Sequence, residues 1–323
     1  MILDIARHKF YEAFLWLALF AVVAVIMGTA SAEVVGSADS APLGALLADF
    51  EASHSVLAAV VNLLIVMRAS MLIAKGTVRS HLYMANTLAV MPLSGIVLLG
   101  LATYGPMLPT LVVALLAAIC LGRLFYAYGS ARRMHAIFSS MLALGAMPLV
   151  DSSMLALVAL FPLILLSLRI SLREAIAAII GVAFPTFAYC YVVWCSGDSF
   201  VEAAEGLYNG MLLGSGIDLQ SYLTLPRIIL LGTMLFVQLF ASMFYIGDRV
   251  SMTLKSRHIW ATMQPALLLI VALFALVPSP SPAAFVVVAM LSSTMQPLFF
   301  QHFGISIGSL LFMLMFVCAV WAA

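Results

Sequence analysis

Apolar runs of about 15 to 22 residues follow one another along almost the whole chain, each close to the ~20 residues a helix needs to cross a bilayer. Such runs either pack into a very large soluble core or stand in lipid. Composition decides between the two: 65% of the 323 residues are hydrophobic and 8% are charged, against roughly a quarter charged in a soluble domain. A water-soluble body of this make-up would expose apolar surface almost everywhere, whereas lipid accepts apolar side chains all round a helix. The fold class read from the sequence is an all-α integral membrane protein.

Eleven runs are read as spans, at approximately 11–30, 55–74, 82–103, 108–127, 136–150, 153–168, 175–195, 225–246, 259–277, 283–300 and 303–321. The range is 9–12, because the fifth and sixth are short, meet at Asp151, and either both cross or form a hairpin together. No stretch is left for a soluble domain, so residues 1–323 read as a single polytopic transmembrane domain. Ala30-Ser31-Ala32 matches a small-residue cleavage site, but the preceding run is long for a leader, and a retained anchor is the expectation.

The charges orient this map. With Arg7 and Lys9 cytoplasmic, thirteen of the 14 Lys and Arg residues fall on the inner side, and Arg227 alone falls outside. Most acids divide the other way, among them Asp49, Glu51, Asp151, Glu202 and Glu205. The N-terminus is then cytoplasmic and the C-terminus outside. The longest connections, about 31–54 and 196–224, are both outer loops. In the second, Phe200, Ala204, Leu207 and Met211 share one helical face, with Glu202, Glu205 and Asn209 on another, the pattern of an interfacial helix. Gly206, Gly210 and Gly214 recur every four residues, a spacing that admits a close neighbour. Residues 42–47 predict a second short interfacial segment.

Little in the chain carries chemistry. There is no basic tail or stripe, which argues against nucleic acid as a partner. There is no Cys/His cluster at zinc spacing, and no cofactor is evident. No acid sits near a span centre, which argues against a proton relay. Arg68, about two turns inside its span, is expected to snorkel to the cytoplasmic edge. Asn62, Asn86 and Gln238 are mid-span amides, expected to hydrogen-bond between helices, while Gln296 and His302 lie near span ends within reach of water. Pro148, Pro185, Pro265 and Pro297 predict kinks.

Between about 110 and 195, a short apolar helix pair ends at Arg169, Ile170-Ser171-Leu172-Arg173-Glu174 follows, and an apolar helix carries Gly181 and Pro185. Here, and in the order of its spans from about 55, the chain resembles a family of multi-spanning inner-membrane proteins of Bacteroidota-type bacteria, a domain of unknown function. That family favours tryptophans beside the Arg-Glu pair, where this chain has Leu172 and Ala175. The resemblance brings no activity. Through association with enzymes of polyprenol-linked sugars, it implies a place in cell-envelope biogenesis.

Three functional classes follow. The first is a glycosyltransferase-like membrane enzyme using a polyprenyl-phosphate sugar. Asp49 and Glu51 are its candidate catalytic residues, since an outer carboxylate there would take a proton from an acceptor hydroxyl or hold a divalent metal. Arg227 is its candidate lipid-phosphate-binding residue. In the bland alternative, both acids are solvated loop charges and Arg227 anchors a helix end. The second class is a flippase or transporter of an amphiphile, which needs a cavity among the spans. The third is a non-catalytic subunit packed against a membrane-protein partner.

Overall fold

A computed structural model describes residues 10–30, 41–83, 87–128, 133–168, 170–213, 219–277, 281–303 and 305–323. Arg7, Lys9, Ser31, Ala32, Asn86, Arg169 and Gly214 lie outside the described residues. In chain order the helices are α1 (Phe10–Ala30), α2 (Pro42–Ser53), α3 (Ser55–Arg79), α4 (Val90–Leu101), α5 (Met107–Ala127), α6 (Arg133–Val150), a 3-10 helix (Ser152–Leu160), α7 (Phe161–Leu168), α8 (Leu172–Cys195), α9 (Phe200–Leu213), α10 (Leu219–Tyr222), α11 (Leu225–Asp248), α12 (Leu254–Leu276), α13 (Pro282–Ser293), α14 (Pro297–His302) and α15 (Ile305–Ala322). No strand occurs among the described residues. Among the described residues seven segments are long and apolar enough to cross a membrane: α3, α5, α6, α8, α11, α12 and Pro282–His302. The chain is an all-α membrane protein. Val56 and Leu64 on α3, Phe187 on α8, Met243 on α11 and Leu268 on α12 are exposed, while Phe20, Phe125, Trp260, Phe299 and Phe312 are fully buried. The outward face is as apolar as the inner one, which suits lipid.

Contacts sort the helix ends into two groups. At one end Asp151 accepts the Ser153 N–H at 3.0 Å, and Ser153 Oγ lies 3.0 Å from Ser281 Oγ. Tyr222 packs on Phe285 there, with ring centroids 4.9 Å apart, and Tyr104 Oη meets Ser221 Oγ at 2.7 Å. At the other end Arg133 pairs with Glu174 at 3.6 Å and His302 with Asp248 at 2.7 Å. There, too, the Leu82 carbonyl accepts Ser256 Oγ at 2.8 Å and Trp260 Nε1 at 3.2 Å. Glu51, Asp151 and α9 with its acids belong to the first end. Lys75, Arg79, Arg123, Arg133, Lys255 and Arg257 belong to the second. The charge asymmetry of the sequence is thus an asymmetry between two ends of one helical bundle.

Two runs differ from their expected form. The third gives only the 12-residue α4, about 18 Å long and buried throughout. Pro92 in its first turn fixes where the helix begins, because its ring excludes the carbonyl four residues back. The irregular stretch before it is held instead by side chains of α12 at the Leu82 carbonyl. The sixth run opens as a 9-residue 3-10 helix and becomes the 8-residue α7. The steeper rise of the 3-10 form lets these few residues cover about 30 Å, the thickness of a bilayer core.

Neighbouring helices close on backbone. Gly145 of α6 lies so near α8 that a Cβ there would fall 2.1 Å from the Val182 carbonyl oxygen. The Ser171-Leu172-Arg173-Glu174 segment starts α8 with a capping box, in which Glu174 accepts the Ser171 N–H at 2.8 Å. In α9, Leu207 is buried beside Ala41 and Leu149, so part of its apolar face meets protein. Of its glycines, Gly210 packs on Ser152, whereas nothing lies near Gly206.

Candidate functional site

Arg68, Lys75 and Arg79 stand seven and then four residues apart, which places them on one face of α3. That face turns toward the end of α5, where Gly76 and Gly122 let the helices cross closely: a Cβ on Gly76 would lie 3.3 Å from the Gly122 Cα. Beyond the crossing a cavity of about 1390 Å³ opens between α3, α5, α6 and the start of α12. Its polar lining is Arg68, Lys75, Arg79, Arg123, Lys255 and His135, with the Tyr126 ring beside them. Its deeper wall is apolar, built from Leu72, Leu115, Ile119, Phe138 and Ala177.

Among the described residues no carboxylate lines this space. Among the described residues none of the five Lys and Arg side chains makes an ion pair. Glu174, an acid of the same end, is committed to Arg133 and to the Ser171 N–H. Five like charges in one concavity with low-dielectric walls repel one another and focus a positive potential into it. The arrangement is relieved by a multiply charged anion, above all phosphate, which guanidinium and ammonium groups bind through charge-assisted hydrogen bonds. The volume exceeds the roughly 300–1,000 Å³ of ordinary small-molecule pockets, so a headgroup larger than phosphate fits. A narrower apolar crevice of about 80 Å³, lined by Leu121, Leu124, Leu160 and Ile259 among others, shares Phe125 as a wall with the cavity.

The residues singled out in the sequence lie at the opposite end. Arg227 is buried, 5% exposed. It donates to the carbonyls of Gly100 at 3.3 Å, Tyr222 at 3.1 Å and Ala322 at 2.9 Å. Its guanidinium carbon stands 4.9 Å from the Tyr222 ring centroid and 5.5 Å from that of Tyr104. It thereby ties the ends of α4 and α15 to the start of α11, and none of its hydrogen bonds goes to Asp49 or Glu51. Glu51 accepts the Leu108 N–H at 2.9 Å and Asn62 Nδ2 at 3.2 Å, capping α5 from a neighbouring helix. Burial pushes its carboxyl above the usual range, partly offset by those two donors and by the Met107 N–H. Asp49 is exposed. Asn62 does bond between helices, as a mid-span amide is expected to.

Arg68 opens on the cavity. Gln296, expected within reach of water, is instead 0% exposed. Sequence reasoning missed the cavity because its bases come from separate helices. The available signal was the shared face of Arg68, Lys75 and Arg79. Comparison with family models, with curated proteins and with solved structures finds no match to this chain.

Proposed function

We propose that this chain is an inner-membrane protein of envelope biogenesis that binds an anionic, phosphate-headed amphiphile in the basic cavity and carries it across the bilayer. The observation behind this reading is the cavity itself: five cations over an apolar wall, without an ion pair or a lining carboxylate among the described residues. Polar mouth and apolar depth suit one molecule with both characters. The adjoining crevice offers a place for the start of a hydrocarbon tail, and a polyprenyl phosphate bearing a sugar has the required headgroup size and charge. In this reading the chain crosses eleven times, the N-terminus and the basic end face the cytoplasm, and the C-terminus is outside, as the positive-inside rule directs. The glycosyl-transfer reading retains Asp49 as an open outer carboxylate. The hydrogen bonds of Glu51 and Arg227 give the two residues structural work that competes with a catalytic role for the first and lipid-phosphate binding for the second.

Native mass spectrometry after mild detergent extraction tests the ligand. The expected result is retained lipid with a phosphate or glycosyl-phosphate headgroup. Recovery of the bare chain, or of zwitterionic lipid alone, removes the reading. A retained membrane-protein partner without lipid favours the accessory-subunit class. Orientation has its own test, because Cys195 is exposed at the end opposite the cavity while Cys120, Cys190 and Cys318 are buried. A membrane-impermeant maleimide added to spheroplasts is expected to label the wild-type chain and not Cys195→Ser. Labelling only after lysis inverts the map.

A further inference from the structure

The apolar segment Pro282–His302 is broken inside its length: α13 ends at Ser293 and α14 begins at Pro297. Pro297 has no N–H to return to the Ser293 carbonyl four residues back. The neighbouring N–H groups go elsewhere. Met295 and Gln296 donate to the Ser292 carbonyl at 2.8 and 3.1 Å, and Leu298 donates to that of Met295 at 3.3 Å. Ser293, Thr294 and Gln296 are all 0% exposed. The Ser293 carbonyl is therefore left without its helical donor in the interior of the bundle.

Two amide side chains meet at this break, Gln296 from the break itself and Gln238 from the facing α11. Gln296 donates Nε2 to the Met234 carbonyl of α11 at 3.4 Å. Gln238, one turn further along α11, donates Nε2 to the Met295 sulfur at 3.3 Å. The reciprocity fixes both amides, since exchanging oxygen and nitrogen would set a carbonyl against the Met234 carbonyl or the Met295 sulfur. Both remaining oxygens, Gln238 Oε1 and Gln296 Oε1, are buried and accept no hydrogen bond. Their residues are 5% and 0% exposed. Acceptors without donors in a low-dielectric interior are costly, and a bound cation supplies what they lack.

We infer that the broken span holds a binding site for a monovalent cation of the Na⁺ class, with Gln238 Oε1, Gln296 Oε1 and the Ser293 carbonyl as neutral oxygen ligands. The ligand set selects the ion. Ca²⁺ and Mg²⁺ sites use carboxylates. Among the described residues no group of three or more His, Cys, Asp or Glu could hold a transition metal. Interrupted membrane helices supply free carbonyls for coupling ions in this way. The inference stands independently of the basic cavity. If both hold, the cation offers a driving force for the anionic cargo.

The test is thermal unfolding of the purified chain as NaCl replaces choline chloride at constant ionic strength. The expected result is a midpoint that rises with Na⁺ and saturates. Gln238→Met removes one ligand, and Pro297→Ala restores an N–H that competes for the Ser293 carbonyl. Each is expected to raise the half-saturating Na⁺ concentration by roughly 10- to 100-fold, the order seen when support of a metal site is lost. Equal wild-type midpoints in Na⁺ and choline overturn the inference and leave water as the occupant. An unchanged Na⁺ response in Pro297→Ala and Gln238→Met places any ion elsewhere and overturns it too. If a variant fails to fold, the wild-type comparison still decides.

Discussion

Reversing two cavity charges together, Arg68→Glu with Arg123→Glu, is expected to abolish retention of anionic lipid while leaving the thermal midpoint unchanged or raised. Each side chain is exposed and lines the cavity without an ion pair among the described residues. Removing it breaks no packing, and exposed substitutions of this kind stay within about 0.5 kcal/mol. Relief of repulsion among the remaining bases acts in the stabilising direction. Binding responds very differently. A hydrogen bond to a charged group is worth about 1.5–3 kcal/mol, so Arg68→Ala alone should weaken a phosphate-headed ligand roughly 10- to 100-fold. Two reversals replace attraction by repulsion and exceed that. The control is Arg249→Glu, an exposed base at the same end that does not line the cavity. Lipid retention measured by native mass spectrometry should fall for the cavity pair and hold for Arg249→Glu. Equal loss in both would reduce the effect to the general charge of that face.

How much of this was legible in the sequence follows from the range of each signal. Membrane class and charge asymmetry are local properties of runs and their flanks, so they could be read directly. The faces of α9 were readable for the same reason: Leu207 is buried while Glu202 and Glu205 are exposed. Arg227 shows where local reading stops. A lone base at a span end looks like a lipid-phosphate ligand until one sees Gly100 and Ala322, distant in sequence, offering it their carbonyls. Glu51 is the same case, since its partner Leu108 belongs to another helix 57 positions away. The cavity and the cation site both arise from juxtaposed helices, and no single stretch encodes either. Proline positions were visible, but not their differing outcomes. Pro148, Pro185 and Pro265 remain inside helices, while Pro297 follows a break.

Gly145→Ala is expected to be the most destabilising single-methyl substitution in the bundle, at about 3 kcal/mol, read as a lower unfolding midpoint in detergent. The added Cβ would meet the Val182 carbonyl oxygen at 2.1 Å, with the Val182 carbonyl carbon at 2.8 Å and Cα at 2.9 Å. All three are backbone atoms of a neighbouring helix, so no side-chain rotation relieves the overlap. The helices must separate, and overpacking of that kind costs about 1–3 kcal/mol, occasionally more. Separation also loosens the α6–α8 seam, whose glycine on the other side, Gly181, would place a Cβ 2.9 Å from the Phe138 carbonyl oxygen. Because α6 also contributes Met134, His135, Ala136 and Phe138 to the cavity wall, the same substitution should weaken ligand retention without altering any charge. Gly206→Ala is the matching control: nothing lies within 4 Å of its Cβ position on α9. There the change adds helix propensity alone, worth up to about 1 kcal/mol in favour of folding. A midpoint that falls equally in both variants would mean that glycine flexibility, rather than close approach at Gly145, sustains the bundle.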